Sequence, residues 1–593
     1  MALLWLPPQT TVAQLAAAGF SPGLMSAGLG SVSAQQTYLD ISQGNRVFDS
    51  LYDEPLPPLT RDCQAWQEEV TKRAESAPAE IVPFLLPSSL RGSNVFVFSE
   101  GPWSCALGFA PGIGIGHPET SSYRVEPGTL AAARAAVRGL HGDDLLIAIA
   151  RPTGKDDDPL PIGIAGRGFD GDLSSDSTRT GGYVLSTDVA PTILDHFGID
   201  VPAEMSGEAI RSEGSVDAVA IESLGARMAV IGHRRGPVIG WSLLVWLGLL
   251  ALAAAASRGR FARPAVRLAG LAIVYMPLLM LLGAALEPSE SAEVLLVLLG
   301  APALGALTLA LFRGYRALAV AAGLTVLTYG VDVIAGSPLT SLSLLGPNPG
   351  LGVRFYGIGN ELEALLAVLV VAGTGAALAG FAPAASRERS AAAFLLVGLL
   401  CAFVFAAGRF GADVGAAIVF PIGAAIAAAV AAERGRRGLL AAVAAPFAVL
   451  ALLALIDLVS GANAHLTRSV LDAGGLGDLA DVAQRRLQLS AHSFARPVLL
   501  VFLPVIAILV GLAIWRRDRL QAWLRPAPAL RAGLIGAVAA TAVGTLANDS
   551  GALLLEVGTA YLLVFTGFAW AESKKEHDSV DKKLHFRAPR VKP

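Results

Sequence analysis

The chain has 593 residues, 53% hydrophobic and only 16% charged, with a net charge of −3; a soluble protein carries roughly 25% charge. This balance excludes a wholly soluble protein and leaves no basic face for nucleic acid. Three cysteines (Cys63, Cys105 and Cys401) exclude a disulfide scaffold or a cysteine-rich metal site. The charge deficit is local. Residues 1–235 mix polar and apolar residues as a globular domain does, 236–571 alternate apolar blocks with short polar loops, and 572–593 form a basic tail. The predicted fold class is an α/β domain followed by an all-α polytopic membrane bundle of about 11 transmembrane helices.

In chain order, the first domain offers strands at Leu3–Leu6, Asn94–Ser99, Leu145–Ala150 and Pro161–Ala165, and a helix over Thr129–Leu140. Asp188 reads as the N-cap of a helix Val189–Phe197 that Gly198 stops. The polar run Gln35–Arg46 either lines a cleft or forms an ordinary capped loop, with the loop slightly ahead. Gly112–Gly116 lacks a following helix and is not a nucleotide loop. The run Asp156–Asp158 reads as a solvated loop. Cys63 and Cys105 form one bridge if the domain is extracytoplasmic, or are two unrelated buried thiols.

One stretch of this domain is distinctive. Pro161–Phe169, Ser177-Thr-Arg179, the segment Tyr183–Ile199 with its Thr187-Asp-Val-Ala-Pro-Thr-Ile-Leu194 core, Pro202 and Met205-Ser-Gly207 together resemble the C-terminal part of the alkaline phosphatase and sulfatase superfamily, over about residues 161–207. The resemblance implies an alkaline-phosphatase-like sheet. It also implies two divalent ions on Asp and His ligands, which would activate a Ser or Thr nucleophile. This sequence departs from that pattern. The family's first strand ends in a metal-binding Asp, whereas Leu3–Pro8 has none. Arg151 and Pro152 stand where an Asp-His-Gly belongs, and His117, His141, His196 and His233 lie singly. The domain is therefore expected to be a non-catalytic pseudoenzyme with no metal and no cofactor.

Apolar blocks follow at 238–256, 268–286, 292–311, 318–336, 359–380, 391–407, 412–431, 438–458, 498–515, 532–547 and 551–570, each long enough to cross a membrane. They resemble bacterial multi-pass envelope proteins only in general character. One set of connecting segments carries Arg258, Arg260, Arg263 and Arg267; Arg313 and Arg316; Arg387 and Arg389; Arg434, Arg436 and Arg437; five arginines from Arg516 to Arg531; and the lysines of the tail. The alternate loops are poor in cations, apart from the long 460–497 loop. The cation-rich set is expected to be cytoplasmic. That places the first domain outside and the C-terminus inside the bacterial plasma membrane. Met1–Gln14 lacks the basic start and apolar length of an export signal. Either the true start lies upstream or the first span inserts late and carries the domain out.

Ionisable residues within a membrane default to functional candidates. Asp332, Glu361, Glu363, Asp413, Asp457, Asp549 and Glu556 all fall near the expected outer face. So do the Gly-, Pro- and Asn-dense stretches Leu344–Glu361, Gly408–Gly415 and Leu546–Gly551. Leu476–Leu489 reads as a helix lying on the surface. The expected substrate-binding residues of an outer cavity are Arg354, Asn360, Glu361, Arg409, Asp413, His465, Arg468, Asn548 and Asp549. Arg409 and Asp413, four apart, would share a helical face. The bland reading is that these carboxylates cap helices or pair with the arginines. The first functional expectation is transfer or translocation of a lipid-linked or phosphate-bearing envelope substrate, with membrane lipids and a lipid-linked glycan precursor as partners. The alternatives are an ion-coupled transporter and a membrane-anchored phosphohydrolase.

Overall fold

The computed structural model describes the chain except residues 60–61, 78–79, 92–94, 102, 110–120, 154–158, 257–260, 461–489, 492, 495–496, 549 and 586–593. Two compact units result. The first comprises Met1–Gly232 together with Asn348–Phe355, and the second His233–Pro347 with Tyr356–Pro593.

The first unit is built on β1 (Ala2–Leu6), α1 (Val12–Ala18), β2 (Ser21–Ser26), α2 (Ala34–Gln43), α3 (Cys63–Ala74), α4 (Leu85–Arg91), β3 (Val95–Ser99), β4 (Ser121–Pro127), α5 (Leu130–Arg138), β5 (Leu145–Ala150), β6 (Leu160–Gly166), β7 (Asp172–Ser174), β8 (Tyr183–Leu185), α6 (Val189–His196) and β9 (Arg211–Glu213). Seven strands form one mixed sheet in the order β3-β4-β1-β5-β6-β2-β8. Only β6 runs antiparallel to its neighbours. The sheet is buried on both faces, which is why β1 and β5 read as unbroken apolar runs. Leu3, Trp5, Ile147 and Ile149 join a core with Tyr38, Trp66 and Ile193 on one side. Leu4, Leu6, Leu146 and Ala148 face Leu15, Phe20 and Ala133 on the other.

The four expected strands correspond to β1, β3, β5 and β6, with Asn94 outside the described residues. Two elements differ from expectation. The run Gln35–Arg46 is mostly helix α2, not a capped loop: Ser33 Oγ accepts from the Gln36 amide at 3.2 Å, and Gly44 closes the helix in the left-handed conformation, φ +61°. Asp188 is positioned as an N-cap but makes no side-chain cap bond to α6; its carboxylate turns back to other donors. Cys63 and Cys105 are bridged, with Cα atoms 5.2 Å apart, and Cys401 is free and buried.

The chain continues through α7 (Ala218–Ala256), α8 (Ala262–Leu286), α9 (Glu290–Leu311), α10 (Tyr315–Ile334), α11 (Asn360–Phe381), α12 (Arg387–Ala406), α13 (Val414–Ala431) and α14 (Gly435–Ser460), then helices Pro497–Trp515, Arg517–Leu524, Pro528–Ala547 and Gly551–His585. Among the described residues ten helices are long and apolar enough to cross a membrane. The expected span at 498–515 falls in the helix Pro497–Trp515, whose described apolar part, Phe502–Trp515, is shorter. The last helix carries on to His585, through much of the expected tail. Small residues let the helices of the second unit approach closely. A Cβ on Gly536 would stand 2.3 Å from the Gly423 carbonyl oxygen, and one on Gly398 would stand 2.2 Å from Ala424 Cβ.

Candidate functional site

Between α10 and α11 the backbone of the second unit is irregular and buried. Ser337, Thr340 and Ser343 have no exposure. Irregular backbone at membrane depth is tolerated only where protein surrounds it or it lines a cavity. Asp332, at the end of α10, organises this stretch by accepting from the amides of Leu339 (3.2 Å) and Thr340 (2.7 Å). Ser337 Oγ accepts from the Gly357 amide at 2.9 Å, and the Gly411 carbonyl from the Ile358 amide at 3.2 Å. The loops after α10 and α12 therefore meet where α11 begins.

Glu363 lies in the first turn of α11 with no exposure. Its Oε2 accepts from Asn548 Nδ2 at 2.7 Å, and the same amide group donates to Asn360 Oδ1 at 3.3 Å. Asn548 ends the helix Pro528–Ala547, so the two helices are joined through one carboxamide. The first turn of α13 closes the third side. A Cβ on Gly415 would come within 2.5 Å of Glu363 Oε2, so only glycine lets this helix start lie against the carboxylate. Asp413, 3% exposed, caps α13 by accepting from the Ala416 amide at 2.9 Å.

A second polar group lies at the start of the same helix. Arg235, on α7, donates to Glu361 Oε1 at 2.7 Å and to the Gly346 carbonyl at 2.9 Å. Its neighbour Arg234 donates to Glu293 Oε2 at 3.1 Å and to the Pro288 carbonyl at 2.8 Å.

Of the residues expected in one outer cavity, the structure brings Asn360 and Asn548 together on Glu363. Glu361 turns to Arg235. Asp413 is a buried cap, while Arg409 is exposed in the turn before it, so the two do not share a helical face. The reason is that α13 starts only after Asp413. Arg354 belongs to the first unit. His465, Arg468, Asp549 and the expected helix Leu476–Leu489 lie outside the described residues. A cavity of about 360 Å³ opens at the other end of α11, lined by Leu378, Ala382, Arg387, Glu433, Pro528 and Arg531.

In the sequence Glu363 is one ionisable residue among several, and Arg234 and Arg235 stand outside the expected site. The signal for the arginines was present: they immediately precede the first span on the side otherwise poor in cations.

At the carboxyl edge of the first unit's sheet, Arg151 follows β5. Its amide donates to the Leu6 carbonyl at 3.0 Å and its Nε donates to the same oxygen at 3.3 Å. Among the described residues no group of three or more His, Cys, Asp or Glu gathers to hold a metal ion; Gly112–Gly116, His117 and Asp156–Asp158 lie outside them. No protein-family model, curated protein or solved structure matches this chain.

Proposed function

We propose that this multi-pass membrane protein translocates a polar envelope component, such as a lipid-linked headgroup, and that Glu363 takes up the proton or sodium ion coupled to that movement. The observation that carries this reading is the unexposed Glu363 carboxylate, joined through a single Asn548 amide group to the Asn360 carboxamide oxygen. An ionised carboxylate removed from water has to be matched by a proton, a cation or hydrogen-bond donors. Here an –NH2 group stands between two oxygens, the position a small cation would take. Turning the Asn548 side chain away would release both oxygens to a sodium ion, or leave Glu363 to be neutralised by a proton. Gly415 and the start of α13 would keep the carboxylate aimed at that point, and the buried irregular stretch beyond α10 supplies backbone able to rearrange.

The experiment is thermal unfolding of the purified full-length protein. Sodium is titrated against choline at constant ionic strength, and pH is varied between 5 and 8. The wild-type Tm should move with sodium or pH, and Glu363→Gln should lose the sodium response and keep only the pH response that other buried groups such as Asp40 supply. A wild-type Tm indifferent to both would sink ion coupling. The exposed side of the Arg235–Glu361 pair, 25% and 22% accessible, favours a second reading, group transfer on a phosphate-bearing lipid. A Tm shift driven by a polyprenyl phosphate and lost in Arg235→Gln would select that reading instead.

For the first unit we propose a non-catalytic relative of the alkaline phosphatase and sulfatase superfamily. The α/β sheet supports this, as does Arg151 bonded to the end of β1, where the resemblance would place a metal ligand.

A further inference from the structure

Ligands of open α/β sheets bind in the crevice beyond the carboxyl ends of the strands. In the first unit β2 and β8 run parallel and end together at Ser26 and Leu185. The crevice there is filled by Asn348–Phe355, the only part of the first unit that comes from later in the chain.

The fit is specific. Arg46 Nη2 donates to the Gly352 carbonyl at 2.6 Å, while Nη1 donates to the Gly28 carbonyl at 3.0 Å and to Ser26 Oγ at 3.2 Å. One guanidinium thus ties the end of β2 to the late segment. Gly352 has φ +70°, and a Cβ there would stand 2.4 Å from the Gly28 carbonyl oxygen and 2.7 Å from Ser26 Oγ. A Cβ on Gly350 would be 2.6 Å from the Met228 carbonyl oxygen. Phe355, 3% exposed, packs on Tyr183 with ring centroids 5.2 Å apart. Behind Arg46 lies a buried polar set: Asp40 accepts from Gln36 Nε2 at 2.8 Å and from Gln43 Nε2 at 3.1 Å. Burial pushes the Asp40 carboxyl up to about 7. Burial also lowers the Arg46 guanidinium, against the opposing pull of Asp40 and Asp188.

We propose that Asn348–Phe355 is a strap held in this crevice by Arg46, and that its seating fixes how the chain enters α11. Only the short link 356–359 separates Phe355 from Asn360. At no more than about 3.6 Å per residue it gives little slack. With the strap out, the entry to α11 is held from its own side alone, by the Gly357 bond to Ser337 and the Ile358 bond to Gly411. The proposal rests on the reading of Glu363 only for what the first turn of α11 does.

The test is hydrogen exchange on the full-length protein in detergent, comparing wild type with Arg46→Ala, Gly352→Val and, as a control, Arg211→Ala in an exposed ion-pair cluster. Peptides covering 348–355 and 360–364 should exchange at least tenfold faster in both crevice variants, with β1 and β5 unchanged and the control like wild type. An unchanged strap in both variants overturns the proposal, and so does a released strap with an unchanged α11 turn. If Arg46→Ala loosens the sheet as a whole, Gly352→Val decides alone. These rates are read without sodium, lipid or substrate. A sodium and pH response unchanged by Glu363→Gln would therefore remove the ion-coupling reading and leave this result standing.

Discussion

Asp188 has no exposure, yet four donors converge on its carboxylate: the hydroxyls of Ser175 (2.7 Å) and Ser177 (2.6 Å) and the amides of Leu185 (2.9 Å) and Glu208 (3.0 Å). Burial pushes its pKa up, and the bonds hold it down. The residue pins the loop after β7, the end of β8 and the strand-poor stretch near Glu208 to one point. Asp188→Ala strands several buried donors, each costing about 1–3 kcal/mol. Allowing for relaxation, a loss of roughly 3–5 kcal/mol is expected. Denaturant unfolding of the full chain measures it, and a loss under about 1 kcal/mol would show that the donors find other partners. The segment around Asp188 was distinctive in the sequence, but its role was not. A side chain that bonds to residues 13 positions before it and 20 after it leaves no local pattern, so it read as a helix cap.

At the scale of elements, what was legible followed from burial. β1 and β5 are sandwiched between two layers and therefore appear as apolar runs. The membrane helices appear because an apolar surface around the whole helix leaves long unbroken apolar blocks. β2 carries little strand signal because Pro22 and Gly23 are residue types that strands avoid, although Gly23 sits in the strand where a Cβ would be 3.0 Å from Leu173 Cβ. Asn360 and Asn548 were expected in one cavity, but Glu363 as the carboxylate between them was not, because Asn548 lies 185 positions away and no local pattern singles Glu363 out from Glu361. The ends of β1 and β5 carry the chemical consequence for the first unit. With Leu6 and Arg151 at those ends, the full-length protein is expected to hold no stoichiometric zinc or manganese and to leave simple phosphate and sulfate esters intact. Elemental analysis showing two ions per chain would refute the non-catalytic reading.

For the whole molecule, the distribution of arginines and the Cys63–Cys105 bridge lead to one expected orientation, which topology mapping tests. Disulfides persist in oxidising compartments, and cation-rich loops stay in the cytoplasm. A reporter fused after Arg389 or Arg437 should therefore read cytoplasmic, and one within residues 461–491 external. An external reading after Arg437 would invert the orientation and put the Glu363 cluster at the cytoplasmic side.

The discontinuous make-up of the first unit also sets an order of events during synthesis. Its sheet can close once β8 has emerged, but the crevice beside Arg46 stays vacant until Asn348–Phe355 arrives. Residues 233–347 must be made first, on the order of ten seconds of translation at roughly 5–20 residues per second. During that interval Tyr183 and the carboxyl end of β2 lack their cover. The unit becomes complete only after the chain has passed through α7 to α10, so completion reports that those four helices have been made and threaded. A chain stalled or misinserted in that stretch keeps an open crevice beside Arg46.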